Sequence, residues 1–363
     1  MKEWGRCAVR EKTQETIAVG KVLLVRTVAG PAIGFGHLRR TLTLARMLRP
    51  AVSSLFLLDA GDRDSQEQVR NCHFGCCIYK PRKPWPEQAS PSAVLIDTRR
   101  VQGLRGLIAE AHRREVPVVS IHDLGLALVA SDLAIDGSAR PFAAVSGVAA
   151  IRRRAGPSFI VLDPAYTRYR RRSRQVRRQA RKIFVNLGGG DSRRYYRKVL
   201  AGLQQTGLAL DVVGVPGFVD WGQADLARED WRPLHFRWAA RNESIAALVS
   251  RADLAITGGG IAAYEALSVG TPLCALSYDR AQRMTVRTLA ESGLCVDLGY
   301  GKSLAPSRLA LQCRRLAGDQ ELRRMLALQG LRTVDGRGAL RVCRILRAVM
   351  AGHIPEGIQA KSR

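Results

Sequence analysis

Three times this chain runs from a short apolar segment into a glycine-rich turn and then into a helix-periodic stretch. That recurring unit limits the folds open to it more than any other feature. The fullest copy lies at residues 256–272, ITGGGIAAYEALSVGTP. Leu254, Ala255 and Ile256 read as the end of a buried strand, and Gly258, Gly259 and Gly260 remove every side chain where the backbone enters a helix. Such a turn points unpaired N–H groups and the positive end of a helix dipole at its occupant, so a phosphate suits it. Glu265 follows within reach of a ribose diol. The same residues also describe a plain strand-to-helix turn with a solvent-facing glutamate.

The other two copies open the two halves of the chain. Residues 21–26 (KVLLVR) lead through Gly34 and Gly36 to His37 and a helix at 38–48, where Leu38, Leu42, Ala45 and Leu48 share one face. An imidazole there sits beside a phosphate-sized anion site, in a side chain that moves protons near neutral pH. A histidine that only packs the turn fits the same pattern. Residues 183–187 (IFVNL) run into Gly188, Gly189, Gly190, Asp191 and Ser192, then into a helix at 193–205.

Strand and helix patterns alternate in both halves, which predicts an α/β protein of two doubly wound, Rossmann-like parallel sheets facing each other across a cleft. Further strands are expected at 54–58, 93–97, 116–121, 133–135 and 159–162 in the first half, and at 208–213, 233–236 and 273–276 in the second. Asp97 and Asp123 fall at strand carboxyl ends, the rim where open α/β sheets bind ligands. Asp136 reads instead as a helix cap. A chain of 363 residues fits two domains. The expected layout is an N-terminal extension (1–20) with no secretory signal, a first domain (21–165), a basic linker (166–182) and a second domain with a helical tail (183–363).

The formal charge of +27 suits anionic partners such as nucleic acid, an anionic membrane surface or a charged substrate. Basic residues are scattered and aromatics for base stacking are few, which argues against nucleic acid. The arginine run between the halves reads as a solvated linker helix, with a strip for anionic lipid as the sharper alternative. Cys72, Cys76 and Cys77 stand beside His73, but no second pair follows at finger-like spacing, so no metal site is expected. Reduced thiols point to a cytoplasmic protein.

Together, Arg26, residues 33–40 (IGFGHLRR) and residues 42–45 (LTLA) resemble the N-terminal signature of the nucleotide-sugar hydrolases that release UDP in pseudaminic acid biosynthesis, and of their spore-coat polysaccharide relatives. The resemblance continues through Asp97, Asp123, Asp132, Gly156-Pro157, Tyr166, the 188–191 loop and residues 252–282. The wider superfamily is the two-domain glycosyltransferase-B fold. The resemblance implies UDP held mainly by the second domain, with Glu265 on the ribose, Gly258, Gly259 and Gly260 on the diphosphate, and Gly188, Gly189, Gly190 and Asp191 nearby. It implies His37 as catalytic base or substrate-orienting group, and Arg26, Gly34, Gly36, Arg40, Asp97, Asp123 and Gln282 on the sugar side, with no cofactor.

Water activated near His37 would attack the anomeric carbon while Arg40 or Arg26 stabilises the departing phosphate. Val28, Thr98-Arg99, His122 and Ala281 depart from the family pattern, all on the sugar side of the expected cleft. Hydrolysis of a UDP-linked amino or deoxy sugar is the expected activity. Transfer from a UDP-sugar to an acceptor and nucleotide-sugar binding without catalysis stay open, as does peripheral contact with an anionic membrane.

Overall fold

Every pairing within the two sheets of the computed structural model is parallel, as expected of apolar runs separated by helices. The structure describes residues 20–30, 33–87, 89–98, 103–122, 130–141, 152–170, 174–190, 192–218 and 222–356. Residues 1–19 of the N-terminal extension, Arg99, Asp123 and Asp191 lie outside them.

The first sheet contains β1 (Lys21–Thr27), β2 (Val52–Leu58), β3 (Gly75–Ile78), β4 (Ala93–Asp97), β5 (Val118–His122), β6 (Leu133–Asp136) and β7 (Arg152–Ala155), in the order β3-β2-β1-β4-β5-β6-β7. Its connections carry α1 (Gly36–Leu48), α2 (Arg63–Asn71) and α3 (Leu104–Arg113), and α4 (Ala165–Tyr169) follows. The second sheet contains β8 (Lys182–Asn186), β9 (Asp211–Gly214), β10 (His235–Trp238), β11 (Leu254–Gly258), β12 (Leu273–Ser277) and β13 (Val296–Tyr300), in the order β10-β9-β8-β11-β12-β13. Its helices are α5 (Arg193–Gln204), α6 (Gln223–Arg228), α7 (Ile245–Arg251), α8 (Ile261–Ser268), α9 (Arg280–Glu291), α10 (Pro306–Gly318), α11 (Gln320–Thr333) and α12 (Gly338–Met350). Both sheets reverse direction at equivalent places, between β1 and β4 and between β8 and β11. Those switch points are where the loops diverge and leave a crevice.

Four sequence expectations change. Residues 159–162 do not close the first sheet: Pro157 starts a short 3-10 turn, and Ile160 and Leu162 are buried in the second sheet's core as the chain passes between the sheets. The edge is β7, whose RRRA sequence carries no apolar alternation. β3 and β13 were likewise absent from the sequence pattern, being short strands with half-exposed residues.

The arginine run is not a solvated helix beyond α4. Arg170 donates to the carbonyls of Ser268 (3.0 Å), Val334 (2.8 Å) and Leu331, and Arg174 to Thr271 Oγ1 (3.0 Å) and the Ala252 carbonyl. Those carbonyls lie at the C-terminal ends of α7, α8 and α11, where helices leave acceptors unpaired and a cation opposes the dipole. The linker is thus tied to the second domain by its arginines. Arg177, Arg178 and Arg181 remain exposed.

Finally, the tail does not stay with the second half. Val342, Cys343, Leu346 and Val349 of α12 join Leu38, Leu42, Leu44 and Leu48 of α1 in the core of the first sheet. α12 has a strongly one-sided apolar face, and burying it requires a partner surface. α1 supplies that surface, so the chain's last helix completes the first domain.

Candidate functional site

The parallel topology brings α1 and Asp97 together. α1 follows β1, β1 pairs with β4 so that Thr27 lies beside Asp97, and the start of α1 therefore stands over the carboxyl end of β4. His37 and Arg40 are three residues apart and share a helix face. Both reach Asp97: Nδ1 of His37 lies 2.6 Å from Oδ1, while Arg40 donates from Nε to Oδ2 at 2.8 Å and from Nη2 to Oδ1 at 2.6 Å. Asp97 is fully buried, and His37 and Arg40 are 6% and 4% exposed. Burial by itself raises a carboxyl pKa, but the charge of Arg40 and then that of His37 prevail and hold Asp97 down at about 2. When the ring is neutral, donating its Nδ1–H to the ionised Asp97 leaves Nε2 of His37 with the lone pair a general base needs; Nη2 of Arg40 also lies 2.9 Å from Nδ1.

Across from this cluster the second sheet presents two glycine turns. Asn186 at the end of β8 accepts from the Gly188 N–H at 3.1 Å, an Asx turn that sets the positive φ of Gly188. Gly260 caps α8 with no side-chain hydrogen bond, and its first turn has no acid. α1 begins in the same way, from Phe35. Both uncapped N-termini open into one cavity of about 750 Å³ between the sheets, lined by Gly34, Gly36, His37 and Arg40 on one side and Gly188, Gly189, Gly258, Gly260, Tyr278 and Gln282 on the other. Helix N-termini whose first turns carry no acid favour an anion.

The glycines divide by what a side chain would meet. A Cβ on Gly260 would find nothing within 4 Å, so that face is open to a ligand. A Cβ on Gly259 would lie 2.7 Å from Val286 Cγ2 and 2.9 Å from the Gln282 carbonyl. Gly259 lets α9 pack closely and does not line the cavity, and Gly190 is also absent from its wall.

Other expected site residues are placed elsewhere. Arg26 is 2% exposed and donates to the carbonyls of Thr27 and Leu57 and to Asp59, with its guanidinium 4.2 Å from the Tyr79 ring. It is a structural residue beneath the sheet end. Val28, Thr98 and His122 are buried and off the cavity wall, and Nε2 of His122 lies 2.7 Å from Ser120 Oγ. Val28, Thr98 and His122, departures from the resembled pattern, therefore sit in the core. Asp136 was expected to cap a helix; it accepts instead from the Ser138 N–H in a local turn, and the next described element is the strand β7.

Glu265 is 4% exposed and lines a smaller adjoining cavity of about 400 Å³. Its Oε1 accepts from Arg39 at 3.5 Å, while Oε2 has no hydrogen-bond partner. Burial and the Glu265 charge push the phenol of nearby Tyr166 well above its usual range.

Sequence reasoning missed Phe35 and Phe218, whose rings meet across the cavity with centroids 4.6 Å apart, and Arg241 on its wall. Phe218 lies in the VPGF loop after β9, and the carboxyl-end rule could have marked that loop. Among the described residues no three His, Cys, Asp or Glu side chains stand together as metal ligands, and no helix is long and apolar enough to cross a membrane.

No protein-family model matches the chain. Over 194 residues it is 32% identical to the spore coat polysaccharide biosynthesis protein SpsG of Bacillus subtilis (strain 168). That match spans 53% of this chain and 57% of SpsG, little more than half of each. Among solved structures, MurG of Acinetobacter baumannii superposes with a TM-score of 0.65 at 12% identity, covering 90% of this chain and 99% of MurG. MnaA of S. aureus, solved with UDP, gives 0.64 at 11% identity, over 93% and 100%. The calicheamicin glycosyltransferase CalG4 gives 0.60 at 16% identity, again over 93% and 100%. At such identities these likenesses establish the fold, which is glycosyltransferase-B.

Proposed function

We propose that the protein is an enzyme of polysaccharide biosynthesis that binds a UDP-linked amino or deoxy sugar in the interdomain cavity and hydrolyses it, expelling UDP. One observation carries this reading: His37, held by buried Asp97, lines the same cavity as the uncapped N-terminus of α8. A base and an anion site stand on opposite walls, as displacement at an anomeric carbon requires. The SpsG likeness and a fold neighbour solved with UDP support the polysaccharide and uridine parts of the reading.

In the step, Nε2 of His37 takes a proton from water, and the water oxygen bonds to the anomeric carbon. The bond from that carbon to the β-phosphate oxygen breaks, and its electron pair leaves with UDP. Gly188, Gly189, Gly258 and Gly260 present backbone to the diphosphate, Oε2 of Glu265 accepts from a ribose hydroxyl, and Gln282 lies toward the sugar. Transfer to an acceptor expels UDP from the same place and is the second reading. An openly exposed cavity wall on α2, including Asp64 and Glu67, leaves room for an acceptor.

Proton NMR of the protein with a panel of UDP-amino and UDP-deoxy sugars, without acceptor, tests the reading. Free reducing sugar of inverted anomeric configuration is the expected product. Binding without release would replace hydrolysis by transfer to an acceptor or by nucleotide-sugar binding without catalysis.

A further inference from the structure

The departing diphosphate needs a cation, and the structure narrows the choice among three arginines of the first domain. Arg26 is closed off by two carbonyls and Asp59. Arg40 has Nε and Nη2 on Asp97 and is 4% exposed, so its charge is already balanced. Arg39 differs from both. It lies on the first turns of α1 between His37 and Arg40, its side chain is 41% exposed, and it lines the main cavity and the adjoining one. Across the cleft its Nη2 lies 3.5 Å from Oε1 of Glu265.

We propose that Arg39 is a catalytic residue that takes up the charge of the leaving diphosphate, and that Glu265 of the opposite domain holds it in place. This rests on the nucleotide-sugar reading above. Glu265 supplies the second, independent observation: it is 4% exposed, and Oε2 is a buried acceptor without a partner. A ribose hydroxyl satisfies that atom while Arg39 keeps Oε1. The pairing also solves a charge problem, because a bare buried carboxylate beside a diphosphate would repel it. With Arg39 between them, one guanidinium faces both anions, and its planar fork offers several donors for the purpose. When the glycosidic bond breaks, extra negative charge forms on the β-phosphate, and the Arg39 guanidinium extends from α1 toward Glu265 on the opposite wall to meet it. Nucleotide bound by the second domain is thereby linked to α1, which also carries the base.

Calorimetric titration of the full chain with UDP, UMP and uridine, for the wild type, Arg39→Ala and Arg39→Lys, tests the proposal alongside turnover. Arg39→Ala is expected to weaken UDP by roughly tenfold or more while uridine affinity holds, and to lower kcat by about 10²-fold. Arg39→Lys should recover part of both, since it restores the charge without the fork. Equal loss for uridine and UDP would overturn the proposal, because Arg39 would then act only through the ribose; unchanged UDP affinity and kcat would overturn it as well. If Arg39→Ala does not fold, Arg39→Lys decides alone, and a lysine variant with wild-type UDP binding and kcat overturns it. A wild-type protein that binds neither UDP nor uridine would instead overturn the nucleotide reading.

Discussion

Nδ1 of His37 lies 2.6 Å from Oδ1 of Asp97, a residue 60 positions away in the chain. A neutral ring that donates its Nδ1–H to Asp97 keeps the Nε2 lone pair for a proton. His37→Ala is expected to abolish turnover and leave UDP affinity within about twofold, because in the proposed step His37 acts on the attacking water and not on the nucleotide. Asp97→Asn should lower kcat by about 10²-fold or more through the wrong tautomer. Steady-state kinetics with UDP titration of both variants checks this; full activity of the histidine variant would remove it from the mechanism.

Asp97 also makes stability depend on pH with a definite sign. Its folded pKa of about 2 lies below the ordinary 3.8, so the folded state binds that proton less readily than the unfolded chain does. The stabilisation, about 2 kcal/mol, is present above pH 4 and is lost as pH falls from about 4 toward 2. Denaturant unfolding across that window should show the loss in the wild type and a flatter profile in Asp97→Asn. Since Asn leaves Arg40 buried without its anion, that variant should also be less stable at neutral pH by about 3–5 kcal/mol.

Adjacent glycines should respond differently to one methyl group. Gly259→Ala forces a Cβ against Val286 and the Gln282 carbonyl, and about 1–3 kcal/mol of stability should be lost. Gly260→Ala meets no protein atom, and its φ of −96° suits an alanine, so stability should hold while UDP binding weakens. Thermal unfolding and calorimetry on the same samples separate the two effects. Unchanged UDP affinity in Gly260→Ala would place the diphosphate elsewhere.

Leu346 is fully buried in the core that α12 shares with α1. Leu346→Ala should cost about 2–5 kcal/mol. Hydrogen exchange should rise in β1 and β4 while β11 and β12 keep their protection. Equal loss in both sheets would contradict the assignment of α12 to the first domain.

Much of the molecule was legible in the sequence because strands, glycine turns and helix faces are local patterns with fixed periods. The pattern gave β1, β4, β8 and β11, and their parallel alternation implied two sheets with facing rims. Gly260 and His37 were visible for the same reason: each occupies a set place at the entry to a helix. Short or charged edge strands such as β7 and β13 carry too little periodicity to be seen.

Sequence alone carries the unit of strand, glycine turn and helix, and so the fold and the glycine turns that line the cavity. Tertiary structure alone decided what each charged residue does. Arg26, Arg39 and Arg40 are three cations of one motif, yet the first is sealed beneath Asp59, the third is neutralised by Asp97 and the second faces the cavity beside Glu265. A side chain's electrostatic role follows from its burial and from partners brought near through space, here 57 and 226 residues away along the chain, and local sequence spacing holds no record of them.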